Sequence, residues 1–224
     1  MEETDLILWG MGTVRSLRVH WMLKEMKLDY AFHPVHPRSG ETHTEEFLRI
    51  NPRHKVPVLK HGELVVTESA AIIEYVSETF KPPSGVYVPR DQAARAKLNE
   101  WCFFIMTEFD AHTLYVIRRH TTFSSLYGEA PVACDAAKEY FLDQLNAVAP
   151  MIGGRNRFLL GDKLSCADIL LTSCIDWAVE YGFDLPDRIV SYHQMMVDRD
   201  AYKEAFNLTF MDPASIPTLM RSPR

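Results

Sequence analysis

The sequence is short of three things, and each shortage removes a class of function. It has no apolar run of membrane-spanning length, and its start, Met1-Glu2-Glu3-Thr4-Asp5, is acidic and lacks the apolar core of a secretion signal. No membrane partner is expected, and the expected compartment is the cytoplasm. It has no clustered positive charge: 24 lysines and arginines stand against 30 aspartates and glutamates, for a formal net charge of −6. Arg118-Arg119 and the arginines of the C-terminal end are too few to track a phosphate backbone, so no nucleic acid is expected. It has few cysteines, and Cys102, Cys134, Cys166 and Cys174 form no C-x-x-C pair. They read as reduced core thiols. The histidines show no H-x-x-x-H spacing, so no metal site is expected either.

What is present is ordinary globular composition, 224 residues with 47% hydrophobic and 24% charged, enough for one large or two small domains. Asp5-Leu6-Ile7-Leu8-Trp9 reads as a strand broken by Gly10 and Gly12, the stretch from Leu17 to Met26 as a helix, and Tyr30 to Val35 as a second strand. Val58-Leu59 and Leu64-Val65-Val66 flank the polar turn Lys60-His61-Gly62-Glu63 as a hairpin that runs into a helix near Ser69. The order β-α-β-α-β-β-α is thioredoxin-like. Lys81-Pro82-Pro83-Ser84-Gly85 breaks all periodicity, and everything after it reads as helical. One helix is expected over 93–120, others over 131–151 and 165–181, and short ones near 188–196 and 201–206. The expected fold is therefore α/β plus all-α. An N-terminal thioredoxin-like domain spans 1–80, a linker 81–91, a helical domain 92–210 and a tail 211–224.

The chemistry concentrates in Asn51-Pro52-Arg53-His54-Lys55-Val56-Pro57-Val58-Leu59, followed by Glu68-Ser69-Ala70-Ala71-Ile72. Pro57 at the mouth of an apolar strand cannot donate to a ladder, which leaves a backbone edge free for an extended ligand. A helix starting at Ser69 offers free N–H groups, a positive dipole end and a hydroxyl to a carboxylate, with Glu68 beside it for an ammonium. By themselves these residues fit a solvated basic turn and a capped helix equally well. Ser165 and Asp168 have the spacing of a capping box, with Leu164 and Ile169 as its staple, and read as folding residues whose loss costs about 0.5–2 kcal/mol.

Taken together, the segment around Pro57, the Glu68-Ser69-Ala70-Ala71-Ile72 segment and the late Ser165-Cys166-Ala167-Asp168 resemble a cytosolic-type glutathione transferase of the bacterial or theta-like kind, over roughly residues 5 to 205. The resemblance implies a homodimer that uses glutathione as co-substrate against a small hydrophobic electrophile or a peroxide. It implies that Glu68 and Ser69 hold the γ-glutamyl end, that the Val56 backbone pairs with the cysteinyl unit, and that Val56-Pro57 is a cis bond. His54 and Lys55 would meet the glycyl carboxylate. The electrophile would lie between the domains, with His112 and Tyr115 facing it from a stripe that includes Phe104 and Glu108, while Asp110 is placed to face a dimer partner. In the serine-type loop Gly10-Met11-Gly12-Thr13-Val14-Arg15-Ser16 the chain departs from the pattern, because valine at 14 cannot donate to a thiolate. Thr13 is the first candidate for that role, Ser16, which reads equally as the N-cap of the following helix, the second, and backbone N–H groups alone the third. Arg18 reads as a structural ion-pair residue. The alternative is a non-catalytic glutathione-binding or scaffold protein on the same fold.

Overall fold

The computed structural model describes residues 5–152 and 156–211, and the chain divides into two compact units: residues up to Val86 together with Asp198 onward, and Tyr87–Val197.

In the first unit β1 (Leu6–Trp9) leads into α1 (Val14–Glu25) and β2 (Ala31–His33), then a 3₁₀ turn at Glu41–His43, α2 (Glu45–Ile50), β3 (Val58–His61), β4 (Leu64–Thr67) and α3 (Ser69–Thr79). The thioredoxin-like order expected from the sequence is the observed one. The sheet runs β2-β1-β3-β4, with β1 parallel to β2 and antiparallel to β3, and β4 antiparallel to β3. Strand alternation puts Leu6 and Leu8 inside while Ile7 and Trp9 are half-buried. The hairpin turn is tighter than the four residues expected: β3 continues through His61 and pairs it with Leu64, leaving Gly62-Glu63 as the two-residue turn.

Helix α1 is buried nearly all round, from Ser16 to Leu23. The reason is that it packs against α3 and also against α10 (Asp200–Phe210). Glu25 takes both Arg199 Nε and Nη2, at 2.6 and 2.7 Å, and Trp21 meets Tyr202 edge-on at 4.9 Å. The division expected from the sequence carried residues up to 210 with the helical segment, whereas this packing joins α10 to α1. Of the tail from 211 on, only Met211 lies within the described residues.

The second unit is helical. Asp91 caps α4 (Gln92–Phe104) through Ala94 N–H at 2.8 Å. The expected single α-helix over 93–120 instead widens into π turns over Ile105–Leu114 before closing as α5 (Tyr115–His120). Thr113 Oγ1 donates to the carbonyls of Phe109 and Glu108, at 2.6 and 3.1 Å. The wider turn moves the buried face to Ile105, Phe109, Asp110, Thr113 and Leu114. Asp110, expected to face a partner, is fully buried within this unit. After α6 (Ser124–Tyr127) come α7 (Pro131–Val148), α8 (Cys166–Glu180) and α9 (Asp187–Val197). Ser165 caps α8 in the reciprocal box with Asp168 that the spacing predicts. Of the four free thiols, Cys102, Cys166 and Cys174 are core residues, but Cys134 is only half-buried.

Candidate functional site

The loop between β1 and α1 is tied down at successive residues. The N–H groups of Gly10, Met11 and Gly12 donate to the carbonyls of His33, Val35 and Thr209, at 3.1, 3.0 and 2.8 Å. Glycine is required at 10 and 12, where φ is +131° and +66°. A Cβ on Gly10 would stand 2.8 Å from Val56 Cβ, and one on Gly12 would stand 2.3 Å from Cδ2 of His36. The loop therefore touches both the turn that carries Val56 and the imidazole of His36.

Thr13, the first candidate donor, is the N-cap of α1: its Oγ1 accepts Ser16 N–H at 3.0 Å and lies 2.9 Å from Ser16 Oγ. The cap expected at Ser16 is thus supplied three residues earlier. Thr13 is half-exposed and Ser16 is fully buried, so Ser16 reaches the surface of the loop only through Thr13. With Ser16 Oγ–H donating to Thr13, the Thr13 O–H is left for a ligand. Val14, at the first helical position, is buried.

Behind the loop sits His20, which no local pattern marks. The Gly10 carbonyl can only accept, so His20 donates from Nε2 across 3.2 Å, and its Nδ1 accepts the Tyr30 hydroxyl at 2.7 Å. Burial pulls the imidazole down to a pKa of about 4, against the Gly10 hydrogen bond, which raises it. Burial likewise pushes the Tyr30 phenol up. The folded pKa of His20 lies below the ordinary value of 6.5. The stability held by the neutral ring is therefore complete above that value and is lost as pH falls toward 4. Urea unfolding at pH 7 and at about pH 4.5 should differ by about 2 kcal/mol from this group. His20→Asn should flatten that slope, and an unchanged slope would exclude His20 as its source.

The second part of the site is the turn from Asn51 to Pro57. Asn51, almost fully buried, donates from Nδ2 to Lys55 O at 2.8 Å and accepts Arg53 N–H at 3.1 Å, holding the turn with His54 at φ +55°. The Val56-Pro57 bond is cis, and neither the N–H nor the C=O of Val56 is paired among the described residues. His54 donates from Nδ1 to Thr42 O at 3.1 Å. A charged His54 would therefore offer Nε2–H to an anion. Lys55 is exposed.

Helix α3 starts at Ser69 with no side-chain cap; its first intrahelical bond is Ile72 N–H to Glu68 O at 2.9 Å, so the N–H groups before it lack helical acceptors. Ser69 is 2% exposed and its Oγ accepts Arg18 Nη1 at 3.3 Å. Arg18, fully buried, thus braces the helix start. Glu68 is exposed at φ +69° and is held by Arg53 Nη1 at 2.8 Å, while Arg53 Nη2 reaches Thr67 Oγ1. Arg53 had no role from the sequence; its place inside the motif was the only hint.

In the second unit His112 is exposed and Tyr115 half-buried. His112 tilts against the Tyr140 ring at 5.4 Å and lies 3.7 Å from Glu108, which accepts Tyr140 O–H at 2.8 Å. That hydrogen bond, foremost, lowers the Glu108 carboxyl. A separate apolar cleft of about 350 Å³ is lined by Lys97, Glu100, Trp101, Phe104, Val148 and Met151; of the expected stripe it takes in Phe104 but neither His112 nor Tyr115.

Comparison with known proteins bears on both units. The family models described as "Glutathione S-transferase, N-terminal domain" and "Glutathione S-transferase, C-terminal domain" match residues 4–78 and 104–200. The chain is similar to Glutathione S-transferase 1 of Dianthus caryophyllus, at 30% identity over 176 residues and 76% of each chain. It is also similar to Glutathione S-transferase theta-1 of Mus musculus, at 27% identity over 84% of this chain and 81% of that one. Among solved structures, a delta-class glutathione transferase of Nilaparvata lugens superposes with a TM-score of 0.77 at 26% identity, covering 92% of this chain and 94% of its own. A glutathione transferase of Methylococcus capsulatus does so with a TM-score of 0.79 at 26% identity, covering 92% and 100%.

Proposed function

The chain belongs to the glutathione S-transferase family, and from that premise we propose that it binds glutathione and ionises its thiol for attack on a small hydrophobic electrophile or a peroxide. The observation that carries the reading is the pairing of two unfilled backbone features in one unit. These are the open N–H and C=O of Val56 and the uncapped start of α3 beside Glu68. An extended tripeptide with an α-amino acid end satisfies both. Its γ-glutamyl carboxylate meets the N–H groups and hydroxyl at Ser69, its ammonium meets Glu68, its cysteinyl unit pairs with Val56, and its glycyl carboxylate meets His54 or Lys55. The thiol then faces the loop where Thr13, backed by Ser16, supports the thiolate.

Attack forms a bond from sulfur to an activated carbon, expelling a leaving group, or to a peroxide oxygen, breaking the O–O bond. His112 and Tyr115 are the residues we propose for the electrophile, and a homodimer in the cytoplasm is the proposed state. Ser69→Ala and Glu68→Ala should each weaken glutathione binding by about 1–3 kcal/mol in calorimetry, the size of a charge-assisted hydrogen bond at a partly buried site. Unchanged affinity in both variants excludes this site. Buried, apolar Val14 favours a second reading, a glutathione-binding protein without chemistry. Ultraviolet titration of the bound thiol separates the two, because a passive site leaves its pKa near that of the free thiol.

A further inference from the structure

The thiolate support just described is thin. Val14 has no donor, and Thr13 Oγ1 is already engaged with Ser16 N–H and Ser16 Oγ, so it has at most one O–H for a ligand, and that only when Ser16 Oγ–H donates to it. A second polar hydrogen stands at the same loop. His36, from the segment after β2, lays the Cδ2–Nε2 edge of its ring against Gly12, so closely that a Cβ on Gly12 would be 2.6 Å from Nε2. The ring's protonation is decided by its other nitrogen: Arg38 donates its backbone N–H to Nδ1 at 3.2 Å. A peptide N–H can only donate, so Nδ1 carries the lone pair and the neutral ring carries its hydrogen on Nε2. That Nε2–H makes no hydrogen bond with another described residue, although the ring is half-buried. An N–H with a fixed tautomer, held against the loop residue next to Thr13, suits a negative charge developing there.

We propose that His36 Nε2–H donates a hydrogen bond to the sulfur of bound glutathione, as the second donor to the thiolate beside Thr13. The proposal rests on the glutathione reading above and adds a residue to it. No proton is transferred from the ring, and the hydrogen bond strengthens as the thiol ionises. Glycine at position 12 then has a functional reason in addition to its backbone angle, since any side chain there would displace the ring from the loop.

The test is ultraviolet titration of the glutathione thiol bound to the full-length protein, for wild type, His36→Ala, His36→Phe and His36→Gln, with calorimetric affinity at a pH where the thiol is protonated. His36→Ala and His36→Phe should raise the bound thiol pKa by about one unit, about tenfold in the thiolate-to-thiol ratio, with affinity within about twofold of wild type. His36→Gln, which keeps an N–H, should retain a good part of the wild-type shift. Phenylalanine keeps the ring against Gly12 without the donor, so a wild-type pKa in His36→Phe with a raised one in His36→Ala would assign the effect to packing and overturn the proposal. The same pKa in all four proteins overturns it while leaving the glutathione site standing. A wild type that binds no glutathione overturns both.

Discussion

Thr13→Ala is expected to raise the pKa of bound glutathione and to cut turnover at neutral pH by about 10–1000-fold, the range for losing one donor to a developing charge. A free thiol ionises near pH 8.5, so lowering it by about two units takes about 2.7 kcal/mol of preferential thiolate stabilisation. One hydroxyl donor together with the start of a 12-residue helix is of that size. Thr13 is also the cap of α1, and its loss should cost about 0.5–2 kcal/mol of stability. The thiol pKa separates the two effects, since a lost cap lowers the melting temperature without moving it. Thr13→Ser keeps both hydroxyl roles and should retain most activity. Ser16→Ala should be mild, because Ser16 is buried behind Thr13 and only orients it. Full activity in Thr13→Ala would leave backbone N–H groups, the helix dipole and His36 to hold the thiolate.

The largest effect on stability is expected at Asp168. Spacing alone marks it as the third residue of a capping box, but the buried carboxylate does more than cap. Its Oδ1 accepts Leu159 N–H at 2.9 Å and Tyr192 O–H at 2.7 Å, and its Oδ2 accepts Ser165 N–H at 2.8 Å and Ser165 Oγ–H at 2.5 Å. Burial pushes the carboxyl pKa up, while these four bonds oppose the rise. Asp168→Ala would strand donors from three residues in a buried site, and should cost about 3–5 kcal/mol. The measurement is the denaturant midpoint at constant m-value. A loss no larger than that of an ordinary cap, below about 2 kcal/mol, would show that the contacts from Leu159 and Tyr192 add nothing.

Strand and helix order in the first unit was legible because its signals are local. Alternation in Leu6–Trp9, the flanks of the hairpin and the start at Ser69 each depend on residues within a few positions. The turn from Asn51 to Pro57 was legible for the same reason, since proline, a basic pair and a helix start make one short pattern. Contacts between residues far apart in the chain were not. His36 lies 24 positions from Gly12, and Tyr192 is 24 positions from the carboxylate it bonds. Arg199 reaches Glu25 across 174, and no periodicity spans such a gap.

The sequence by itself determined which segments are strands and helices, where α3 and α8 begin, and which residue types stand at the turn and loop, because these follow from nearest-neighbour sterics, capping and hydrophobic period. Only the tertiary structure decided that Thr13 and not Ser16 caps α1, that π turns re-aim the long helix, that α10 joins the first unit, and that Arg53, His20 and His36 stand at the site. Each of these depends on which surfaces meet when the chain folds back, and burial and hydrogen bonding across such contacts outweigh local preference.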